Sequence, residues 1–329
     1  MTVNVTILGL GRVGGSLARA LAPRAELQVA GYDRDAAVAK RAQGQGLLRK
    51  AHWNLLNAVD QADLVLLTAP MAEQRETLKL IAPELHSGCV VATVGPLLAP
   101  PLAWAAEWLA SLPERHFVAC HAALNPAQLY TDDTGFESSS AELFKQGLWA
   151  LAPAPGCSPE GLRLLADLVR LLEAFPYFVD PAEHDGLAGV SEMLPPLLAL
   201  ALMQAADSPG WPETRRVADR SFATATAALV EADLAALRSN RENALRYLDL
   251  VLAALQALRQ DLAADGAPKL DDAFAQALAR RSAWLAERRR ADWEHPPESL
   301  PNLPTSSEMF GRLLVGGLMT RRGEKDEGQ

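Results

Sequence analysis

Apolar residues alternate with polar ones from Val3 to Ile7, which spells a short strand, and Leu17, Ala18 and Leu21 then recur at helical spacing. Leu27 to Tyr32 reads as a second strand, and Ala36 to Gln43 as a helix. Ala62 to Thr68 is a nearly continuous apolar run, as in a parallel strand covered on both faces. A helical stretch from Glu73 to Ile81 follows, then a strand from Cys89 to Val94 and a helix with Trp104 and Trp108 on one face. Phe117 to Cys120 is a further strand with His121 at its carboxyl end. Leu148 to Leu151 and Tyr177 to Val179 read as later strands flanking a helix from Pro159 to Ala174. Strands alternating with helices predict an α/β domain over residues 1–179, a doubly wound parallel sheet of Rossmann-like type.

The pattern changes at Asp180. Asp180-Pro181-Ala182-Glu183 is a helix start, with Asp as N-cap, Pro at the first helical position and Glu at the third. From there to about Arg290 the chain reads as an all-helical second domain, residues 180–290, rich in Ala and Leu. Its most apolar stretch, Leu194 to Ala206, is too short to span a bilayer and reads as a buried helix. Leu245, Leu248, Leu252, Leu255 and Leu262 form an apolar stripe, either an internal bundle face or a subunit interface. Residues 291–329 read as an irregular tail, with Pro296, Pro297, Pro301 and Pro304, a short apolar patch from Phe310 to Met319 and a charged end, Arg321 to Gln329, expected to be disordered.

The turn between the first strand and helix carries candidate chemistry. Gly9, Gly11 and Gly14 make the spacing G-x-G-x-x-G: the first permits a tight turn, the second lets backbone N–H groups approach a diphosphate, the third lets helix and strand pack closely. Gly11, Arg12 and Val13 open a helix whose positive end suits that anion. Asp33 ends the second strand nineteen residues after Gly14, where a carboxylate accepts hydrogen bonds from both ribose hydroxyls; the plainer alternative is a cap for the helix near Ala36. An acid there repels a 2′-phosphate, so NAD is favoured, while the neighbouring Arg34 leaves NADP open. Ligands in such sheets lie beyond the carboxyl ends of the strands, here Thr68-Ala69-Pro70, Thr93 to Pro96 with Gly95, and His121. Of these residues only His121 titrates near neutrality, which makes it the candidate acid/base. A polar loop with Tyr130, Asp132, Asp133 and Ser138 to Ser140 separates it from Leu148, a length associated with function or disorder.

Composition narrows the partners. The chain has 329 residues, 49% hydrophobic and 22% charged, enough for two substantial cores. Its net charge of −9 and lack of a basic stripe argue against nucleic acid. Cys89, Cys120 and Cys157 show no C-x-x-C spacing, so reduced thiols are expected and no metal site is. The N-terminal residues have no signal-peptide pattern, and with no membrane span a cytoplasmic location is expected.

Three segments together resemble the prephenate/arogenate dehydrogenase family: Gly9-Leu10-Gly11-Arg12-Val13-Gly14-Gly15-Ser16-Leu17-Ala18 with Gly31-Tyr32-Asp33; His121 at a strand end; and Asp180-Pro181-Ala182-Glu183-His184-Asp185-Gly186 leading to Leu194-Pro195. The resemblance covers roughly residues 1–290 and implies a nucleotide domain joined to a helical dimerisation domain, hence a homodimer. It implies oxidative decarboxylation of prephenate or arogenate, in tyrosine biosynthesis, with His121 at the family's histidine position. His184 and Asp185 match a family motif, although their place near a helix start favours a structural role. Departures are clear. Gly95-Pro96 stands where the family has serine after the glycine, leaving Thr93 or Thr68 as substitute hydroxyls, and Ala122 stands where proline follows the histidine. Glu192-Met193 replaces a serine-histidine pair, and Pro196 a later histidine. An ungapped match puts Thr224 at the family's carboxylate-binding arginine, and Arg220, one helical turn earlier, is the candidate replacement. These changes leave open a dehydrogenase or reductase of another small acid, or a non-catalytic dinucleotide-binding homodimer.

Overall fold

The computed structural model describes residues 2–130, 135–230, 232–264, 266–267, 269–291 and 293. Val3–Leu8 forms β1 and Leu27–Tyr32 forms β2, and Arg12–Leu21 between them forms α1. The chain continues through α2 (Ala36–Gly44), β3 (Lys50–His52), α3 (Leu55–Val59), β4 (Leu64–Leu67), α4 (Met71–Ile81), β5 (Val90–Val94), α5 (Ala99–Trp108) and β6 (His116–Ala123). After a long connection come β7 (Leu148–Pro153), α6 (Pro159–Leu171) and β8 (Phe175–Phe178). All eight strands join one sheet in the order β3-β2-β1-β4-β5-β6-β7-β8.

The continuous apolar run of β4 follows from cover on both faces. Leu64 and Leu66 pack with Ile7, Leu17 and Leu21 on one side, while Val65 and Leu67 pack with Leu78, Ile81 and Phe117 on the other. Successive side chains point to opposite faces, so a strand buried on both has no polar position.

Two features depart from an all-parallel expectation. Strand β7 runs antiparallel to β6, with His121 opposite Ala150, and β8 is again parallel to β7. The described residues between β6 and β7 form short 3-10 turns and no crossover helix, and the chain returns in the opposite direction. His121 also lies inside β6 rather than at its end. Strand β5 stops at Val94, opposite Cys120, so β6 from His121 onward projects past its parallel neighbour and still meets the carboxyl edge of the sheet.

The helical region consists of α7 (Pro181–Ala188), a π-helical turn (Gly189–Met193), α8 (Leu194–Ala206), α9 (Trp211–Val217), α10 (Arg220–Thr226), α11 (Leu234–Ser239), α12 (Arg241–Leu262) and α13 (Leu270–Arg290). Asp180 caps α7 as its sequence predicts, accepting from the Ala182 and Glu183 N–H groups at 2.9 Å. Pro195 and Pro196 offer no N–H to the carbonyls of Ser191 and Glu192, which explains the widened π turn before them. The turn lies close on α12: a Cβ at Gly189 would stand 2.9 Å from both Asn243 and Tyr247.

Helix α8 is not the buried helix its composition predicts, for only Leu194 and Ala199 are buried in it. The stripe on α12 is likewise left uncovered by the described residues, with Leu252 and Leu255 about half exposed, so among them it is not an internal bundle face. The run Pro181–Ala206 is long and apolar enough to cross a bilayer by length and composition alone. Here it carries Asp185, whose side chain binds the start of α5. Met71, Leu97, Ala188, Met193, Ala236 and Ala244 form a small core joining the helices to the sheet edge. The described residues up to Ala291 form one compact unit. The prolines, apolar patch and charged end read in the tail, with Asp132 and Asp133, lie outside the described residues.

Because β4 is central and Leu66 is fully buried, Leu66→Ala is expected to destabilise the protein by about 2–5 kcal/mol. Chemical denaturation measures this; a loss under ~1 kcal/mol would contradict the two-faced packing.

Candidate active site

The carboxyl edge of the sheet gathers most of the residues singled out in the sequence. At the glycine turn, Gly9 has φ +96°, a left-handed conformation, and a Cβ there would lie 2.9 Å from the Ala69 amide nitrogen. A Cβ at Gly14 would sit 1.9 Å from the Gly9 carbonyl oxygen, so only glycine lets α1 approach β1 this closely. Thr68 secures the turn from β4, its hydroxyl donating to the Gly9 carbonyl at 2.6 Å. Gly11 is the N-cap of α1, without a side-chain cap, and the first turn has no acidic residue. An uncapped helix start behind a glycine cradle fits a dinucleotide diphosphate. Gly11, Arg12 and Val13 would hold it through backbone N–H groups.

Asp33 stands at the tip of β2 with its carboxylate accepting from the Leu10 N–H at 2.6 Å and the Asp35 N–H at 2.9 Å. It does not cap α2; Asp35 does, accepting from Ala37. Each Asp33 oxygen retains acceptor capacity for a ribose hydroxyl. Arg34 is exposed and pairs with Glu73 at 3.0 Å, which offsets the positive charge otherwise offered to a 2′-phosphate. The Arg12 side chain is buried and donates to the Gln128 carbonyl at 2.8 Å, tying the glycine turn to the loop after β6.

Gln74 on α4 was not legible as a site residue. Its Nε2 donates to the Ala69 and Val94 carbonyls, both at 2.8 Å, and so straps the end of β5 to the Thr68-Ala69-Pro70 corner. It also faces Gly95, where a Cβ would be 3.5 Å from the amide nitrogen. A buried amide one turn into a helix is the signal, but only the fold reveals the burial. The two threonines do not bring a hydroxyl to His121 here: Thr68 is bonded to Gly9, and Thr93, fully buried in β5, has no partner among the described residues.

His121 lies in a chain of polar contacts. Its Nδ1 is 2.9 Å from His184 Nε2, and His184 Nδ1 is 3.1 Å from Asp185 Oδ1. The two rings meet edge to face, with centroids 5.0 Å apart. Asp185 accepts from the backbone N–H groups of Leu98 at 2.8 Å and Ala99 at 3.0 Å, while its carbonyl accepts from Asn240 Nδ2 at 2.7 Å. His121 Nε2 faces Glu192 Oε1 at 3.9 Å. Burial lowers the His121 pKa below its ordinary value, Glu192 and Asp185 oppose that shift, and His184 and Arg288 add to it. His184 and Asp185 therefore do more than start a helix: they stand directly behind the candidate base. Arg288, on α13, donates to the Leu124 carbonyl three residues past His121.

Beside Glu192 a cleft opens, lined by Pro96, Glu192, Met193, Pro196, Leu197 and Asp233 among others. No lining residue described there is basic. Asp233 accepts from Met71 at the start of α4 and from Ala235 and Ala236 in α11. Arg220 is the first residue of α10, exposed, and outside that lining.

Asp33→Ala is expected to weaken NADH binding about tenfold, the loss of charge-assisted hydrogen bonds to the ribose, and to narrow the preference over NADPH. Titration of NADH fluorescence checks this; unchanged affinity for both would remove Asp33 from the cofactor site.

The profile of the prephenate dehydrogenase nucleotide-binding domain matches residues 17–175, beginning just after the glycine turn. The cyclohexadienyl dehydrogenase of Zymomonas mobilis subsp. mobilis is 26% identical over 206 residues, 62% of this chain and 68% of that protein. The prephenate dehydrogenase of Lactococcus lactis subsp. cremoris is 25% identical over 206 residues, 62% of this chain and 54% of that protein, so the match spans about half its length. Among solved structures, prephenate dehydrogenase from A. aeolicus in complex with hydroxyphenyl propionate and NAD+ has a TM-score of 0.74 at 21% identity, over 86% of this chain and 99% of that one. Synechocystis arogenate dehydrogenase has a TM-score of 0.66 at 21% identity, over 86% of this chain and 100% of that one. At these identities the structural likeness shows the fold. The matched profile runs from α1 to the start of β8, just under half of the chain, and shows a nucleotide-binding domain of the prephenate dehydrogenase type over those residues.

Proposed function

We propose that this chain is an NAD-dependent dehydrogenase that oxidatively decarboxylates prephenate or arogenate, a step in tyrosine biosynthesis. The observation that carries the reading is the site's polar chain, which brings His121, with its Nε2 turned away from His184, to the sheet edge that holds the glycine cradle. The dinucleotide, when bound, supplies the acceptor for a hydride from the ring carbon bearing the hydroxyl. His121 Nε2 takes the hydroxyl proton, the ring carboxylate leaves as CO2, and its electron pair completes the aromatic ring. The lowered pKa of His121 keeps that nitrogen unprotonated at neutral pH, ready to accept.

NAD rather than NADP is favoured by Asp33 and by the Arg34–Glu73 pair. Residues 1–179 serve as the nucleotide domain, 180–290 as the substrate and dimerisation domain, and 291–329 as a tail. A homodimer through the helices is supported by the apolar side chains they leave exposed, Leu200, Leu252, Leu255, Phe274 and Leu278 among them. Three free thiols, two of them buried, fit a reducing cytoplasm. Arg220 is assigned to a substrate carboxylate, on the strength of its exposed place on α10, which packs against the α8 wall of the cleft.

A second reading has its own support. The described cleft lining, with Pro96 and Glu192 where the family has serines, holds no basic residue to pair with two substrate carboxylates, which favours a less highly charged small acid than prephenate while retaining hydride transfer. The assay decides between them. Purified protein given prephenate or arogenate with NAD is expected to form NADH together with 4-hydroxyphenylpyruvate or tyrosine. Absence of either product with both substrates and both cofactors would sink the first reading.

His121→Asn is expected to lower kcat by about 10²–10⁴. In the wild type, the acid limb of kcat/KM is expected to inflect below pH 6.5, since the active neutral imidazole has a depressed pKa; an inflection above that value would contradict the assignment. Arg220→Ala is expected to raise the substrate KM by about tenfold or more, as loss of a carboxylate partner does. An unchanged KM would remove Arg220 from the site.

A further inference from the structure

Hydrogen-bond direction along the polar chain can be worked out from its far end. An ionised carboxylate only accepts. Asp185 Oδ1 takes the Leu98 N–H and Oδ2 the Ala99 N–H, which holds the carboxylate in one orientation at the start of α5. The contact with His184 Nδ1 therefore requires a proton on that nitrogen. A neutral His184 then has a lone pair on Nε2, and its 2.9 Å contact with His121 Nδ1 requires a proton on the latter. The remaining nitrogen, His121 Nε2, is left with its lone pair, facing Glu192, itself a residue of the cleft wall.

We infer that His184 is a positioning residue that fixes His121 in the tautomer with a basic Nε2, with Asp185 orienting His184 in turn. The inference rests on the dehydrogenase reading for the reaction in which the base is used. Left alone, an imidazole beside a carboxylate turns an N–H toward it, and Glu192 would draw the proton to Nε2, where it blocks proton acceptance. His184 competes for that proton through a hydrogen bond in a less exposed setting: its side chain is 11% exposed, against 37% for Glu192. The groups facing His121 are Glu192 on the π turn, His184 and Asp185 on α7, and Arg288 on α13. The substrate proton goes to His121 Nε2, giving an imidazolium whose Nδ1–H remains on His184 and whose charge both carboxylates stabilise.

The helical support is arranged for this purpose. Asn240 donates to the Asp185 carbonyl and accepts from Asn243 Nδ2 at 2.7 Å, so the start of α12 braces the residue that orients His184. None of these groups needs to touch the substrate.

Two measurements on the full-length protein test the inference. Nitrogen-15 NMR of histidine-labelled wild type at neutral pH is expected to show His121 protonated on Nδ1 and bare on Nε2, assigned through His121→Asn. The reverse pattern would overturn the inference whatever the substrate proves to be, and a missing prephenate or arogenate activity would leave this readout intact. Kinetically, His184→Leu is expected to lower kcat by about 10²-fold while NADH affinity and substrate KM stay within about twofold. His184→Gln, whose side-chain oxygen accepts from Nδ1–H, is expected to recover most of that loss. Unchanged kcat in the Leu variant, no recovery in the Gln variant, or a parallel loss of NADH binding would each contradict a positioning role.

Discussion

One carboxylate joins the two halves of this protein's chemistry. Asp185 belongs to the helical region, yet its oxygens are bound by the Leu98 and Ala99 N–H groups where the chain leaves the sheet. Through His184 it reaches His121 on β6, so a strand, a loop and a helix share one hydrogen-bonded line. Hydrogen bonds to a charged group contribute about 1.5–3 kcal/mol each, and a carboxylate buried without them would cost several kcal/mol. The junction is therefore oriented as well as stable. The small apolar core of Met71, Leu97, Ala188, Met193, Ala236 and Ala244 supplies the water exclusion that makes these polar contacts count.

Cofactor and substrate regions differ in what they are made of. The cradle depends on backbone: the left-handed Gly9, the space that Gly14 leaves, and an uncapped helix start. Such a site tolerates few substitutions, because any Cβ at Gly14 collides with main chain. The cleft beside the π turn is built from side chains on the π turn, α8 and α11, whose chemistry the backbone does not dictate. Glu192, Met193 and Pro196 occupy that wall. Divergence thus collects where the fold permits it, and the substrate is the part of the function the side chains must decide.

Structure is legible in the sequence where the physics is local. The glycine turn, β2 ending in Asp33, and the Asp180 cap followed by Pro181 depend on residues within a few positions of each other. Strand β3, only three residues, was too short for its alternation to register, and α3 beside it is a single helical turn. The contact between His121 and His184 spans 63 residues, so no spacing announces it. The antiparallel turn of β7 follows from a loop of irregular length rather than any residue pattern. The apolar composition of α8 and the leucine stripe on α12 do not say which surface covers them, and the described residues leave Leu200, Leu252 and Leu255 exposed.

The central claim is that the glycine cradle and His121 serve one reaction at one edge of the sheet. A crystal structure of the protein with NADH tests it most directly. The account predicts the diphosphate on the N–H groups of Gly11 to Val13, the adenosine ribose on Asp33, and the nicotinamide beside His121 Nε2. A dinucleotide bound with its nicotinamide turned away from His121, or bound elsewhere on the sheet, would contradict it.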